Sequence, residues 1–115
     1  MVKVYNLEKK EDYAIILLGE LIDEYQDAQM YYERGRIYYN QGETTKASED
    51  FLNAIKIDPN NANALYSMGL SLELLNREQE ALIYFEKVLE LNPESEDVKA
   101  RIKKIKNLQV MPKGQ

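Results

Sequence analysis

The sequence predicts an all-α protein, built as a stack of antiparallel helix hairpins with two full repeats and one flanking helix at each end. Three observations lead there. Apolar residues return at helical spacing along most of the chain. A shift of 34 residues lays the chain onto itself with no slip in register. Turn signals built from Pro, Gly and Asn fall at matching places in the two copies. The 115 residues suffice for one domain with one core, spanning 1–115.

Taken in order, residues 8–25 form the first helix. Ala14, Leu17, Leu18, Leu21, Ile22 and Tyr25 follow its period, and Ile15 and Ile16 widen the apolar face. This helix is expected to pack on the first repeat and cover its open edge. The alternative is a homodimer contact through Ile15 and Ile16.

Residues 28–61 and 62–95 are the two repeats. The 34-residue shift pairs Ala28 with Ala62, Tyr32 with Tyr66, Gly35 with Gly69, Ala47 with Ala81, Phe51 with Phe85 and Pro59 with Pro93. Each copy reads as two helices. In the first copy, Tyr31, Gly35 and Tyr38 share a face and Asn40-Gln41-Gly42 turns the chain. A second helix from about Thr44 then buries Ala47, Phe51, Ala54 and Ile55, and Asp58-Pro59-Asn60-Asn61 stops it. The second copy repeats the plan with Leu65, Gly69 and Leu72, a turn near Asn76, then Ala81, Phe85, Val88 and Leu89, then Asn92-Pro93. A glycine inside a helix costs about 1 kcal/mol against alanine. Gly35 and Gly69 therefore mark places where two helices come close, with Ala47 and Ala81 serving the contact from the other side, and Phe51 and Phe85 fill the gap between hairpins.

Residues 95–108 form the last helix. Glu96 and Asp97 stand near its start and Lys103, Lys104 and Lys106 near its end, as the helix dipole favours. Val98, Ile102, Ile105 and Leu108 make one apolar stripe and the rest is polar, as a capping helix requires. It takes the place of a third repeat's first helix, with Lys103 where the glycine would stand. Residues 109–115 are expected to be a disordered tail.

In period, order and residue type, residues 28–95 resemble the tetratricopeptide repeat. The resemblance implies a right-handed superhelical stack. Tyr31 and Leu65 stand where the family often has Trp, Arg34 where Leu is usual, and Leu72 in place of a Tyr. Met68 keeps the position of Arg34 apolar in the second copy.

Composition narrows the chemistry. The chain has no Cys and no His, which removes thiol chemistry, disulfides, the commonest general base and the usual metal ligand. The acidic runs read as solvated faces or helix starts, and no carboxylate has a converging partner. No catalysis, cofactor or metal is expected. The net charge of −5 is uneven: residues 94–115 carry +3 and the remainder −8, so the body does not suit a phosphate backbone and no nucleic acid is expected. No apolar run reaches the ~18 residues that cross a membrane. The start Met1-Val-Lys-Val-Tyr5 lacks a signal-peptide pattern, and a cytoplasmic location is expected.

Function in similar repeats lies in the groove lined by the first helix of each pair, and the resemblance carries this to specific positions. They are Gln29, Tyr32, Glu33, Arg36, Tyr39 and Asn40, then Asn63, Tyr66, Ser67, Leu70, Glu73 and Leu74, then Asp97, Arg101, Lys104 and Asn107. Tyr32, Tyr39 and Tyr66 are rigid amphipathic contacts, and Arg36 and Arg101 are able to hold a carboxylate. The expected activity is that of an adaptor binding a peptide or protein segment in this groove. The alternative is a self-assembling scaffold, through the N-terminal helix or the stack ends. One sub-family holds acidic chaperone C-termini in a clamp of Lys, Asn, Asn, Lys and Arg. The matching residues are Tyr32, Arg36, Ser67, Asp97 and Arg101, of which only Arg101 fits, so that particular activity is not expected.

Overall fold

The computed structural model describes residues 7–110, with side chains described for residues 10–108. Six helices follow one another: α1 Leu7–Tyr25, α2 Ala28–Asn40, α3 Thr44–Ile57, α4 Ala62–Leu74, α5 Glu78–Leu91 and α6 Glu96–Val110. Each packs on the next in the chain, and α2 also touches α4. The result is an elongated stack, 56 × 32 × 22 Å. The helices α2, α4 and α6 take equivalent places along it, as do α1, α3 and α5.

Local chemistry sets the boundaries. The Asp27 carboxylate accepts from the Gln29 and Met30 backbone N–H groups at 2.7 and 3.2 Å, which starts α2. Asn61 does the same for α4, accepting from the Ala64 N–H at 3.1 Å. The two hairpin turns are equivalent. Gly42 has φ +84° and Asn76, 34 positions later, has φ +61°. Both occupy the left-handed region that Gly enters freely and Asn tolerates.

One continuous core runs through the stack from Ala47 and Phe51, past Leu65, Met68 and Leu72, to Ala81, Phe85 and Val88, and on to Val98, Ile102 and Ile105. The glycines have a more specific reason than helix proximity. A Cβ on Gly35 would stand 2.7 Å from a ring carbon of Phe51, and one on Gly69 would stand 2.5 Å from Phe85. Each glycine makes room for the phenylalanine of its own hairpin. That ring therefore fills space inside the hairpin as well as between hairpins.

Four expectations need correction. Leu17 and Tyr25 are exposed, because α1 packs only on α2 and these residues point away from it. Leu108 is also exposed, so the buried stripe of α6 ends at Ile105. The last helix runs on through Gln109 and Val110. It therefore has no basic residue in its last turn, and residues 109 and 110 are helix rather than tail. Residues 1–6 and 111–115 lie outside the described residues.

Arg34, the odd residue of the first repeat, is accounted for by a partner sixteen residues on. Its Nε and Nη2 donate to the two oxygens of Asp50, each at 2.8 Å. The Asp50 side chain is 4% exposed and that of Arg34 is 23%. The guanidinium also lies 5.9 Å from the Tyr31 ring centre and 6.0 Å from that of Tyr38. Its hydrogen bond with Asp50 holds Arg34 above its ordinary pKa. In the second repeat the equivalent places hold Met68 and Tyr84, so one site is filled ionically in one copy and without charge in the other.

Candidate functional site

The helices α2, α4 and α6 line one side of the stack, and two adjoining cavities open there. The first, about 150 Å³, is lined by Tyr32, Arg36, Tyr39 and Asn40 of α2, Ser67 and Leu70 of α4, and Phe51 of α3. The second, about 370 Å³, is lined by Tyr39 of α2, Leu70, Glu73 and Leu74 of α4, Glu78 of α5, and Arg101, Lys104 and Leu108 of α6. Tyr39 and Leu70 border both, so the two form one furrow across three helices.

Packing beneath the furrow holds its aromatic walls in place. Gly35 admits Phe51, and the Tyr32 ring rests 5.8 Å from Phe51, tilted at 44°. Gly69 admits Phe85, and Tyr66 rests 5.9 Å from it at 56°. Tilted pairs at such distances are favourable. The repeat signature thus fixes the position of one first-helix tyrosine in each copy, Tyr32 lining the furrow and Tyr66 standing beside it.

Polar contacts concentrate where α4 meets α6. The Tyr66 hydroxyl donates to Asp97 Oδ2 and accepts from Arg101 Nε at 3.2 Å. Arg101 Nη1 donates to Glu73 Oε1 at 3.0 Å. Burial pushes the Tyr66 phenol up, and the bond to Asp97 adds to this. The same bond holds the Asp97 carboxyl below its usual range. Burial pulls the Arg101 guanidinium down, but its bond with Tyr66 and the nearby Asp97 charge outweigh this and raise it. Arg101 is therefore already engaged by Tyr66, Asp97 and Glu73. At the other end Arg36 is exposed; it pairs with Glu33 at 3.0 Å and lies 6.0 Å from the Tyr32 ring centre. An exposed pair of this kind contributes little and gives way readily.

The residues proposed from sequence distribute as follows. Tyr32, Arg36, Tyr39, Asn40, Ser67, Leu70, Glu73, Arg101 and Lys104 line one or both cavities. Tyr66 lines neither cavity and meets the furrow only through its bond to Arg101. Asn63 is exposed on α4 and borders neither cavity. Ile16 is exposed, whereas Ile15 is half-buried; both edge a separate hollow with Tyr38 and Lys46. Phe51, Glu78 and Leu108 also line the furrow, though sequence reasoning placed Phe51 in the core and Leu108 in a buried stripe. No periodicity marks Glu78; it is the first residue of α5 and shares the second cavity with Arg101, Lys104 and Leu108 of α6.

Among the described residues, no group of three or more Asp or Glu is placed to hold a metal ion. No described helix is long and apolar enough to cross a membrane.

Comparison with known proteins agrees with this architecture. A family model described as "TPR repeat" matches residues 35–76, and one described as "Tetratricopeptide repeat" matches residues 62–95. A TPR repeat-containing protein of Methanocaldococcus jannaschii is 30% identical over 78 residues, which cover 68% of this chain and 14% of that protein. The chain thus spans about one seventh of that relative's length. Among solved structures, the Arabidopsis OM64 TPR domain has a TM-score of 0.78 at 26% identity, covering 87% of this chain and 84% of that one. The second TPR domain of human RPAP3, solved with an HSP70 peptide, has a TM-score of 0.78 at 27% identity, covering 86% and 83%. The first TPR of Spaghetti (RPAP3), bound to an HSP90 peptide, has a TM-score of 0.82; its 22% identity bears on the fold alone, over 93% and 86% of the two chains. This chain belongs to the tetratricopeptide repeat family, whose repeats are protein-interaction units.

Proposed function

We propose that the chain binds a peptide segment of a partner protein in the furrow across α2, α4 and α6. The observation that carries this is the continuity of the two cavities through Tyr39 and Leu70. An open furrow that crosses three helices matches the way a peptide segment is laid in a groove. Tyr32 and Tyr39 offer rigid contact area at low entropic cost. Leu70, Leu74 and Leu108 supply an apolar seat in the second cavity, with Leu74 and Leu108 exposed at its rim.

The seat favours a ligand with an apolar anchor flanked by polar residues. It does not favour the acidic chaperone tails bound by the RPAP3 domains. Asp97 stands in a clamp position and puts a negative charge where a carboxylate would sit, while Arg101 is occupied by internal partners. Support from the neighbours is thus for peptide binding as a mode, with a different ligand chemistry.

The test is selection of peptides from a random display library on the full chain, followed by titration calorimetry of the enriched sequences. Leu70→Asp and Tyr39→Ala should each weaken binding by about tenfold or more, since the loss of a central anchor costs more than about 1 kcal/mol. Peptides that bind both variants as well as the wild type would place the site elsewhere.

A further inference from the structure

By the 34-residue shift α1 is equivalent to the second helix of a repeat, and among the described residues no helix takes the place of the first helix beside it. Shifted by 34 residues, α3 falls on α1, so that Tyr13, Ile16, Leu17 and Glu20 take the places of Ala47, Asp50, Phe51 and Ala54. In α3 those four places are the most enclosed, with Ala47 and Ala54 at 0% exposure and Phe51 at 1%. In α1, Tyr13 is 71% exposed, Ile16 61% and Leu17 47%. The opposite end of the stack has the complementary deficiency. By the same shift α6 is a first helix, equivalent to α4, and no described helix plays the part of α5 beside it. Its open side is a hollow of about 420 Å³ floored by Leu89 and Ile102 and edged by Lys99, Lys103 and Lys106.

From this we infer that the chain associates head to tail, the α6 of one copy seating against the α1 of the next to complete a composite repeat. The register follows from the intact first hairpin. There Arg34 meets Asp50, Gly35 meets Phe51, and Lys46 lies over Tyr38. Moved to the ends, these pairings set Ile102 against Ile16 of the second copy, Lys103 against Leu17, and Lys106 against Asp12. Continuing the antiparallel run one turn brings Lys99 to Glu20; Lys99 and Lys106 then exchange their exposed partners Glu96 and Glu86, at 3.4 and 3.5 Å, for acids of the second copy. Apolar thus meets apolar at the centre, and a basic edge meets an acidic one on either side. The −8 and +3 division of the chain has the same polarity. Symmetric pairing of two α1 helices would instead set Glu20 and Asp12 of each copy close to their own kind.

The joint is looser than an internal one. Lys103 stands where the repeats have glycine, and Tyr13 and Glu20 stand at the places of the enclosed Ala47 and Ala54, which keeps the joint open to water around Glu20, although Leu17 is smaller than the phenylalanine it replaces. Association is therefore weak and concentration-dependent. Because the contact joins unlike surfaces, it continues into short chains rather than closing as a dimer.

Light scattering of the full chain from micromolar to millimolar concentration tests this. The expected mass rises beyond that of a dimer and falls again on adding salt, which screens the flanking pairs. Glu20→Lys should weaken association by about tenfold, and adding Lys99→Glu in the same chain should restore most of it. Helical content by circular dichroism checks that both exposed substitutions leave the fold intact. A constant monomer mass, a mass that stops at dimer, or a Glu20→Lys defect that Lys99→Glu does not repair would each overturn the proposal.

Discussion

Removing Asp50 tests whether Arg34 is tolerated inside the stack only because of its partner. Two charge-assisted hydrogen bonds of 2.8 Å join them, and the Asp50 side chain is almost wholly enclosed. Breaking a fully buried pair from one side costs about 3 to 5 kcal/mol, because the surviving charge is stranded. Arg34 retains 23% exposure and lies near Tyr31 and Tyr38, so water and the rings recover part of this. Asp50→Ala should therefore destabilise the chain by about 2 to 3 kcal/mol. The double substitution Arg34→Met with Asp50→Tyr installs the pair found at the same places in the second repeat. It should return stability to within about 1 kcal/mol of the wild type, since a buried ion pair is often replaceable by well-packed uncharged groups. Urea unfolding followed by circular dichroism measures both. An Asp50→Ala cost below about 0.5 kcal/mol, the level of an ordinary surface substitution, would refute the view that the pair is structurally required. A double variant as unstable as the single one would show that the two repeats are not interchangeable at this place.

Gly69→Ala should cost about 1 to 3 kcal/mol, because its new methyl group meets Phe85 ring atoms at 2.5 to 2.8 Å. Phe85→Leu in the same chain should make the alanine more tolerable, as a double-mutant unfolding cycle would reveal. Gly42→Ala has open space but a φ of +84°, so strain alone should destabilise it by about 1 kcal/mol; thermal melts suffice to see it. The Asp97 carboxyl is depressed by its bond from Tyr66, so the interaction favours the folded chain above the ordinary aspartate value of 3.8 and is lost as the pH falls through the lower folded value. Asp97→Asn should accordingly flatten the acid limb of stability, measured by urea midpoints across that range, and an unchanged limb would count against the bond.

Much of the fold was legible because repetition amplifies a weak signal. Gly35, Phe51 and Pro59 each mean little alone, but their return as Gly69, Phe85 and Pro93 requires a common hairpin. The side of the stack on which Tyr32, Tyr39 and Leu70 stand was legible for the same reason, since it follows from the register of α2 and α4. The Arg34–Asp50 pair was hidden because Asp50 sits in the polar run Ser48-Glu49-Asp50, which reads as a solvated face. The joint change to Met68 and Tyr84 was the available clue.

The order of helices, their caps and the internal core were thus determined by local pattern: hydrophobic period, turn chemistry and glycine placed opposite phenylalanine. Tertiary structure decided the rest, because it depends on which surfaces find a neighbour. Leu17 has the same apolar character as Leu18, yet it is exposed because α1 has α2 on only one side. Arg101 was readable as a free cation until the fold brought Tyr66, Glu73 and Asp97 to it from residues 4 to 35 positions away. Periodicity states which face of a helix is apolar; only the assembled stack states what that face meets.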